Sequence, residues 1–213
     1  MSPSQADASS KASRPRGRPR LDIDLGAVAD AVAQLFAEGG MDNVSIHEVA
    51  EKLSVSRATL YRTVPTKEDL LSVLFDRSTK ELLESAIAVT AELDEPREQL
   101  DALIRLQIGA AIRMRGYMPV FFGGGGLSEE AYERWRQFTR DFEDVWVKVV
   151  AANMEAGDIE AKDAKIATRL MLGSCIWVSR WYRPEGPFDE EAITETAVSL
   201  LRRGLPVGEP GSL

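Results

Sequence analysis

Three observations predict an all-α fold. From Leu25 onward apolar residues recur at spacings of three and four in nearly every segment. No segment sustains a period of two over a strand's length, and helix-opening signatures alternate with glycine and proline stops. With 213 residues and 44% hydrophobic content, the chain can bury a substantial core as one large or two small domains.

The first helix carries Val28, Val32, Leu35 and Phe36 on the Leu25 face and stops at Gly39-Gly40. Ser45-Ile46-His47-Glu48 matches a capping box, in which the serine oxygen accepts from the backbone N–H three residues on and Glu48 reaches back. The second helix ends near Leu53. Ser54-Val55-Ser56 forms a tight turn, because helical spacing resumes with Leu60 and Val64 and Ser56 can cap a third helix. Pro65 ends that helix, and Thr66-Lys67-Glu68-Asp69 opens a longer fourth through Leu70, Leu71, Leu74 and Phe75. Glu95-Pro96 starts a fifth, with Leu100, Leu103, Ile104 and Ile108, to about Met114. After Gly116, Pro119 and Gly123–Gly126, a long helix spans about Ser128 to Ala156 and ends at Gly157. Residues 162–182 and 189–203 supply two more, separated by "RPEGPF".

Charge is distributed unevenly. The chain has 26 basic and 34 acidic side chains, yet residues 1–20 hold five basic residues (Lys11, Arg14, Arg16, Arg18, Arg20) against Asp7 alone. A one-sign block in a Pro, Ser and Gly setting reads as a solvated, disordered arm, and basic N-terminal arms often bind nucleic acid. No stretch approaches eighteen uninterrupted apolar residues and no apolar run follows the N-terminal charges, so the expectation is a soluble, cytoplasmic protein without a membrane segment. The single Cys175 and single His47 exclude an internal disulfide and zinc-type Cys/His spacing. They also leave no Ser/His/Asp or Cys/His catalytic set. "FFGGGGLSEE" lacks the lysine and Ser/Thr of a phosphate loop and reads as a connector, a candidate pocket gate. Neither enzyme activity, metal nor cofactor is expected.

Two short helices joined by a tight turn are the minimum of a helix-turn-helix, whose second helix enters the DNA major groove. On the third helix Arg57, Ala58, Thr59 and Arg62 present a small, polar, cationic surface away from Val55 and Leu60. "VSIHEVAEKLSVSRATLYRTVPTKEDL", Val44 to Leu70, closely resembles the DNA-binding region of TetR-family transcriptional regulators, and the "LFAEGG" ending of the first helix fits as well. The resemblance implies a homodimer with an N-terminal three-helix, helix-turn-helix domain and a larger helical ligand-binding and dimerisation domain. It also implies a double-stranded, pseudo-palindromic DNA operator as partner and release by a small-molecule effector. By position, Ser45, Ser56, Tyr61 and Lys67 match backbone-contacting residues, Arg57, Ala58 and Thr59 those near base edges, and Arg62 joins that face. Ser54 stands where a turn glycine is frequent, Thr63 where histidine is frequent and Val64 where phenylalanine is usual; a non-glycine turn residue at positive φ would be strained.

The implied organisation is an arm (1–20), a DNA-binding domain (21–67), a ligand-binding and dimerisation domain (68–206) and a tail (207–213). Residues 21–75 hold four basic and nine acidic side chains, so the DNA-binding module needs added positive charge. Arg16-Gly17-Arg18-Pro19 resembles an AT-hook core, which places Arg16, Arg18 and Arg20 as minor-groove contacts. Met114, Tyr117, Phe121, Trp135, Phe138, Phe142, Met171 and Cys175 are candidates for an apolar effector pocket. "WVSRWYRPEGPFDEEAI" resembles a subgroup that includes regulators of sterol and fatty-acid breakdown, which adds lipid-like and acyl-coenzyme A molecules to the candidate effectors. Leu170, Gly173, Ser174, Trp177, Trp181, Ile193, Ala197 and Leu200 are the candidate dimer interface. The rival reading is an architectural protein that coats A·T-rich DNA through its arms.

Overall fold

The computed structural model describes residues 23–118 and 128–203. They form eight helices and no strand: α1 (Leu25–Gly39), α2 (Ile46–Lys52), α3 (Arg57–Tyr61), α4 (Lys67–Ala91), α5 (Pro96–Arg113), α6 (Glu129–Ala156), α7 (Ala164–Trp181) and α8 (Glu190–Arg203), with a 3-10 turn at Gly40–Asn43. The arm, Phe121, the Gly123–Gly126 stretch and the 207–213 tail lie outside the described residues.

Local chemistry sets most of the boundaries. Asp24 caps α1 by accepting from Gly26 N at 2.8 Å. Ser45, Ser56 and Ser128 each accept from the backbone N–H three residues on, and open α2, α3 and α6. At Thr66 the capping box closes in both directions: Asp69 N donates to the threonine oxygen, and Thr66 N donates to the Asp69 carboxylate at 3.0 Å. Only the serine half forms at Ser45. Glu48 does not return a bond, since its carboxylate lies beside His47 and Glu51 on the exposed side of α2. Gly157, at φ 81°, ends α6 in the left-handed conformation. The turn between α2 and α3 places Ser54 at φ 54°, a backbone that disfavours a side chain.

Packing centres on α5, which touches α4, α6, α7 and α8. The fourth helix is shared: it packs on α1 at one side and on α5 and α6 at the other. A single apolar core runs from Val28 and Leu60 near the N-terminus through Leu70, Leu100 and Ile108 to Trp146 and Val178. Arg105 pairs with Glu195, and Arg202 donates to Asp101 at 2.7 Å, so α8 is fastened along α5 at two points.

Candidate functional site

Three surfaces carry chemistry. The first is the exposed side of α3, held up by the fully buried Leu60 and Val64 beneath it. Arg57, Ala58 and Arg62 are exposed, Tyr61 is 52% exposed, and Thr59 is half-buried. The Ser56 and Thr59 hydroxyls lie 2.7 Å apart, and Thr59 N also donates to Ser56 Oγ, so the cap fixes both side chains. Arg57 Nη2 donates to His47 Nε2 at 2.9 Å, which ties α3 to α2. Lys67, half-buried at the start of α4, donates to the Met41 carbonyl at 2.6 Å. One of its three protons is thereby committed to the 3-10 turn. Lys52 is paired with Glu38 at 2.7 Å, whereas Arg57 and Arg62 have no carboxylate partner among the described residues. Cationic charge on this module therefore concentrates on α3. The nearest thing to a metal set here, His47, Glu48 and Glu51, is exposed, and Arg57 already occupies the imidazole nitrogen.

The second is a cavity of about 440 Å³ between α4, α5, α6 and α7. Of the expected wall residues, Met114, Trp135, Phe138 and Phe142 line it. Phe138 and Phe142 stack with ring centres 5.4 Å apart, and Phe142 leans on the buried Trp146 at 6.4 Å. Tyr117 stands elsewhere. It borders a separate, polar recess of about 350 Å³ between α1, α4 and α5, where its hydroxyl meets Ser78 Oγ at 3.1 Å and its ring meets Phe36 at 5.8 Å. Burial pushes its phenol up, with the Ser78 hydrogen bond opposing. Met171 and Cys175, one helical turn apart, are buried in the core and do not line the cavity; the adjacent face of α7, with Leu172 and Ile176, turns to it instead. Burial pushes the Cys175 thiol up to about 12.

Several wall residues escaped sequence reasoning. Gln107 lies deep on α5, 3% exposed, and its sealed Oε1 has no hydrogen-bond partner among the described residues. Glu143 and Arg169 are joined at 2.5 Å with Lys165 at 3.7 Å, and the Arg169 hydrogen bond holds the Glu143 carboxyl below the usual carboxylate range. Gln107 had a legible signal, since it interrupts the apolar stripe Leu103, Ala111 and Met114 at helical spacing. Gly173, expected at the dimer interface, sits on the cavity rim.

The third surface is apolar and open. Leu170 (68% exposed), Trp177 (63%), Trp181 and Leu200 face outward from α7 and α8, joined by Ile166 and by Phe188 from the connecting segment. Between the helices runs a groove of about 340 Å³, bordered by Ser174, Ala197 and Leu200 and floored by Cys175 and Ile193. Ile193 is buried within the protomer and Ala197 half-buried, so neither projects. Contiguous exposed apolar side chains of this kind are uncommon on a monomer's surface.

Comparison with known proteins agrees with this geometry. Residues 28–74 match the family model of bacterial regulatory proteins, tetR family, and residues 93–205 that of the tetracyclin repressor-like C-terminal domain. The HTH-type transcriptional repressor KstR2 of Rhodococcus jostii (strain RHA1) is 22% identical over 180 residues, which span 83% of this chain and 88% of that protein. A TetR/AcrR-family regulator from Thermobifida fusca YX-ER1 has a TM-score of 0.74 at 26% identity, covering 84% of this chain and 97% of its own. AibR, solved in complex with isovaleryl coenzyme A and operator DNA, has a TM-score of 0.71 at 21% identity, covering 85% and 99%. No helix among the described residues is long and apolar enough to cross a membrane.

Proposed function

The chain belongs to the TetR family of bacterial regulatory proteins, and we propose that it is a transcriptional repressor whose homodimer leaves a pseudo-palindromic operator when a small, largely hydrophobic molecule fills the cavity. Residues 21–67 read the DNA, residues 68–206 bind effector and partner, and the 1–20 arm adds minor-groove contacts. The observation that carries this reading is the double role of α4, which is a wall of the cavity and a packing partner of α1. Two α3 helices spaced about 34 Å apart would meet successive major grooves. Arg57, Ala58 and Thr59 would then face base edges, and Ser45, Ser56, Tyr61 and Lys67 the backbone. Leu170, Trp177 and Trp181 would form the centre of the dimer contact.

The names of the relatives support the same direction: KstR2 is a repressor, and AibR has been solved with both an acyl thioester and operator DNA. In an acyl thioester the cavity would take the acyl group, and the coenzyme portion would extend past Arg169 and Lys165 at the rim. The test begins with selection of random duplex DNA by the purified protein at near-physiological salt. An inverted repeat whose recognition collapses on joint Arg57→Ala and Thr59→Ala substitution is expected. Recovery of A·T-rich DNA without a repeat, indifferent to those substitutions, would overturn the reading in favour of an architectural protein.

A further inference from the structure

Both ends of the Arg57 side chain are placed by neighbours. Arg57 is the first residue of α3, so the Ser56 cap sets where its stem leaves the backbone. Its guanidinium donates from Nη2 to Nε2 of His47, the only histidine in the chain, at 2.9 Å. The imidazole stands beside two acids, for a His47 nitrogen and carboxylate oxygens of Glu48 and Glu51 lie within 4.8 Å of one another. A flexible exposed cation with carboxylates so close ordinarily pairs with one, as Lys52 does with Glu38 and Arg77 with Glu81. Arg57 has no carboxylate partner among the described residues and bonds the imidazole instead.

We infer that His47 is a positioning residue for base recognition: it holds the Arg57 guanidinium clear of Glu48 and Glu51, so that the arginine meets a guanine edge with its charge uncancelled. This rests on the proposed base-reading role of Arg57. Guanine O6 and N7 are taken by two N–H groups of one guanidinium, and a carboxylate competes for the same fork and cancels the charge behind it. A single bond to an imidazole nitrogen leaves the charge and the remaining N–H groups in place. His47 acts through Arg57 and needs no DNA contact of its own. A surface ion pair shifts an equilibrium by up to about fivefold, so capture of Arg57 by Glu48 or Glu51 forfeits up to that much of its base preference.

The experiment selects random duplex DNA with the full-length protein, at constant pH and salt, and reads base preference position by position. Wild type is compared with Arg57→Ala, His47→Leu, His47→Gln and the triple variant His47→Leu/Glu48→Gln/Glu51→Gln. Circular dichroism confirms each fold, and His47→Ala replaces the leucine variant if leucine disturbs α2. The diagnostic position is the one whose guanine preference Arg57→Ala flattens. There His47→Leu should lower the preference about fivefold, and elsewhere in the half-site leave it within about twofold. His47→Gln restores an acceptor and the triple variant removes the competing carboxylates, so each should return the preference to within about twofold of wild type. Preference is a ratio between bases, so the uniform gain in affinity from removing acidic charge near DNA cancels from it.

A folded His47→Leu protein with unchanged preference would overturn the inference. So would a loss spread evenly over all positions, as a direct backbone contact by His47 would give, or the failure of either rescue, as a local structural role would give. These outcomes leave the role of Arg57 standing. An Arg57-dependent preference for a base other than guanine would overturn the choice of guanine and the inference with it. If Arg57→Ala flattens no position, the base-reading role of Arg57 falls, and this inference with it.

Discussion

Truncation of Trp177 to alanine should dismantle the homodimer. Trp177 is 63% exposed on an isolated protomer, and because a large aromatic side chain buries up to about 250 Å², it offers on the order of 150 Å² to a partner. Alanine leaves a methyl in place, so the loss is about 100 Å², or ~2.5 kcal/mol at ~25 cal/mol/Å². An isologous interface uses the same patch twice, so the dimer loses ~5 kcal/mol, a change of between three and four orders of magnitude in its dissociation constant. The side chain is exposed in the protomer and supports no internal core, so the monomer should fold. Sedimentation velocity across a nanomolar-to-micromolar series reads the constant, and circular dichroism confirms helicity. A folded Trp177→Ala protein that stays dimeric within tenfold of wild type would refute this interface, and would show that the apolar face of α7 serves something else.

Three other substitutions or treatments probe single physical terms. Ser54→Gly relieves a left-handed backbone worth about 1–2 kcal/mol and adds unfolded-state entropy of about 0.5–1 kcal/mol, so a rise of about 1–3 °C in melting temperature is expected, and a decrease would mean that the serine side chain contributes to the turn. Cys175, with its thiol pushed up to about 12, should resist iodoacetamide at pH 8 in native protein and react only after unfolding; rapid native alkylation would contradict the burial. Glu143 is held below the usual carboxylate range by Arg169, so its contribution is complete above that range and lost as pH falls through the lowered folded value. Arg169→Met should therefore flatten the acid limb of a stability–pH curve and leave its slope at neutral pH unchanged, as chemical denaturation at several pH values would show.

Helix limits were legible because they depend on chemistry within four residues: Ser56 caps α3, Thr66 and Asp69 cap each other, and Gly157 supplies the left-handed stop. Even the strained turn could be read, since Ser54 occupies a place where a glycine is frequent. What the sequence could not resolve was the choice between adjacent faces of one helix. Met171 and Cys175 share a stripe, and Leu172 and Ile176 share the next one; both are apolar, and only the positions of α5 and α6 decide which meets the cavity. Glu48 and Asp69 show the same limit on a smaller scale. Each stands three residues after its cap, but only Asp69 closes the box.

The path from cavity to DNA face is short enough to trace by contacts. Phe75, Thr79 and Leu82 of α4 form the wall, and Arg77 on the same helix donates to the Gly26 carbonyl of α1 at 2.9 Å and pairs with Asp30 at 3.5 Å. Beyond Met114, another wall residue, Tyr117 packs on Phe36 of α1. Lys67 at the head of α4 holds the Met41 carbonyl, and Leu60 of α3 lies in the same continuous core. Close-packed interiors pass on displacement because they have little free volume to absorb it. On the proposed reading, a ligand that displaces α4 would therefore shift α1 and the seat of α3 with it. Coupling of the usual 1–3 kcal/mol would lower operator affinity about 5- to 150-fold, and by reciprocity operator DNA would weaken effector binding by the same factor. Filling the cavity is not sufficient: a molecule that binds both arrangements equally shifts neither. Occupancy and release are thus separate properties, and a ligand seated against α5 and α6 alone should bind tightly while leaving the operator complex intact.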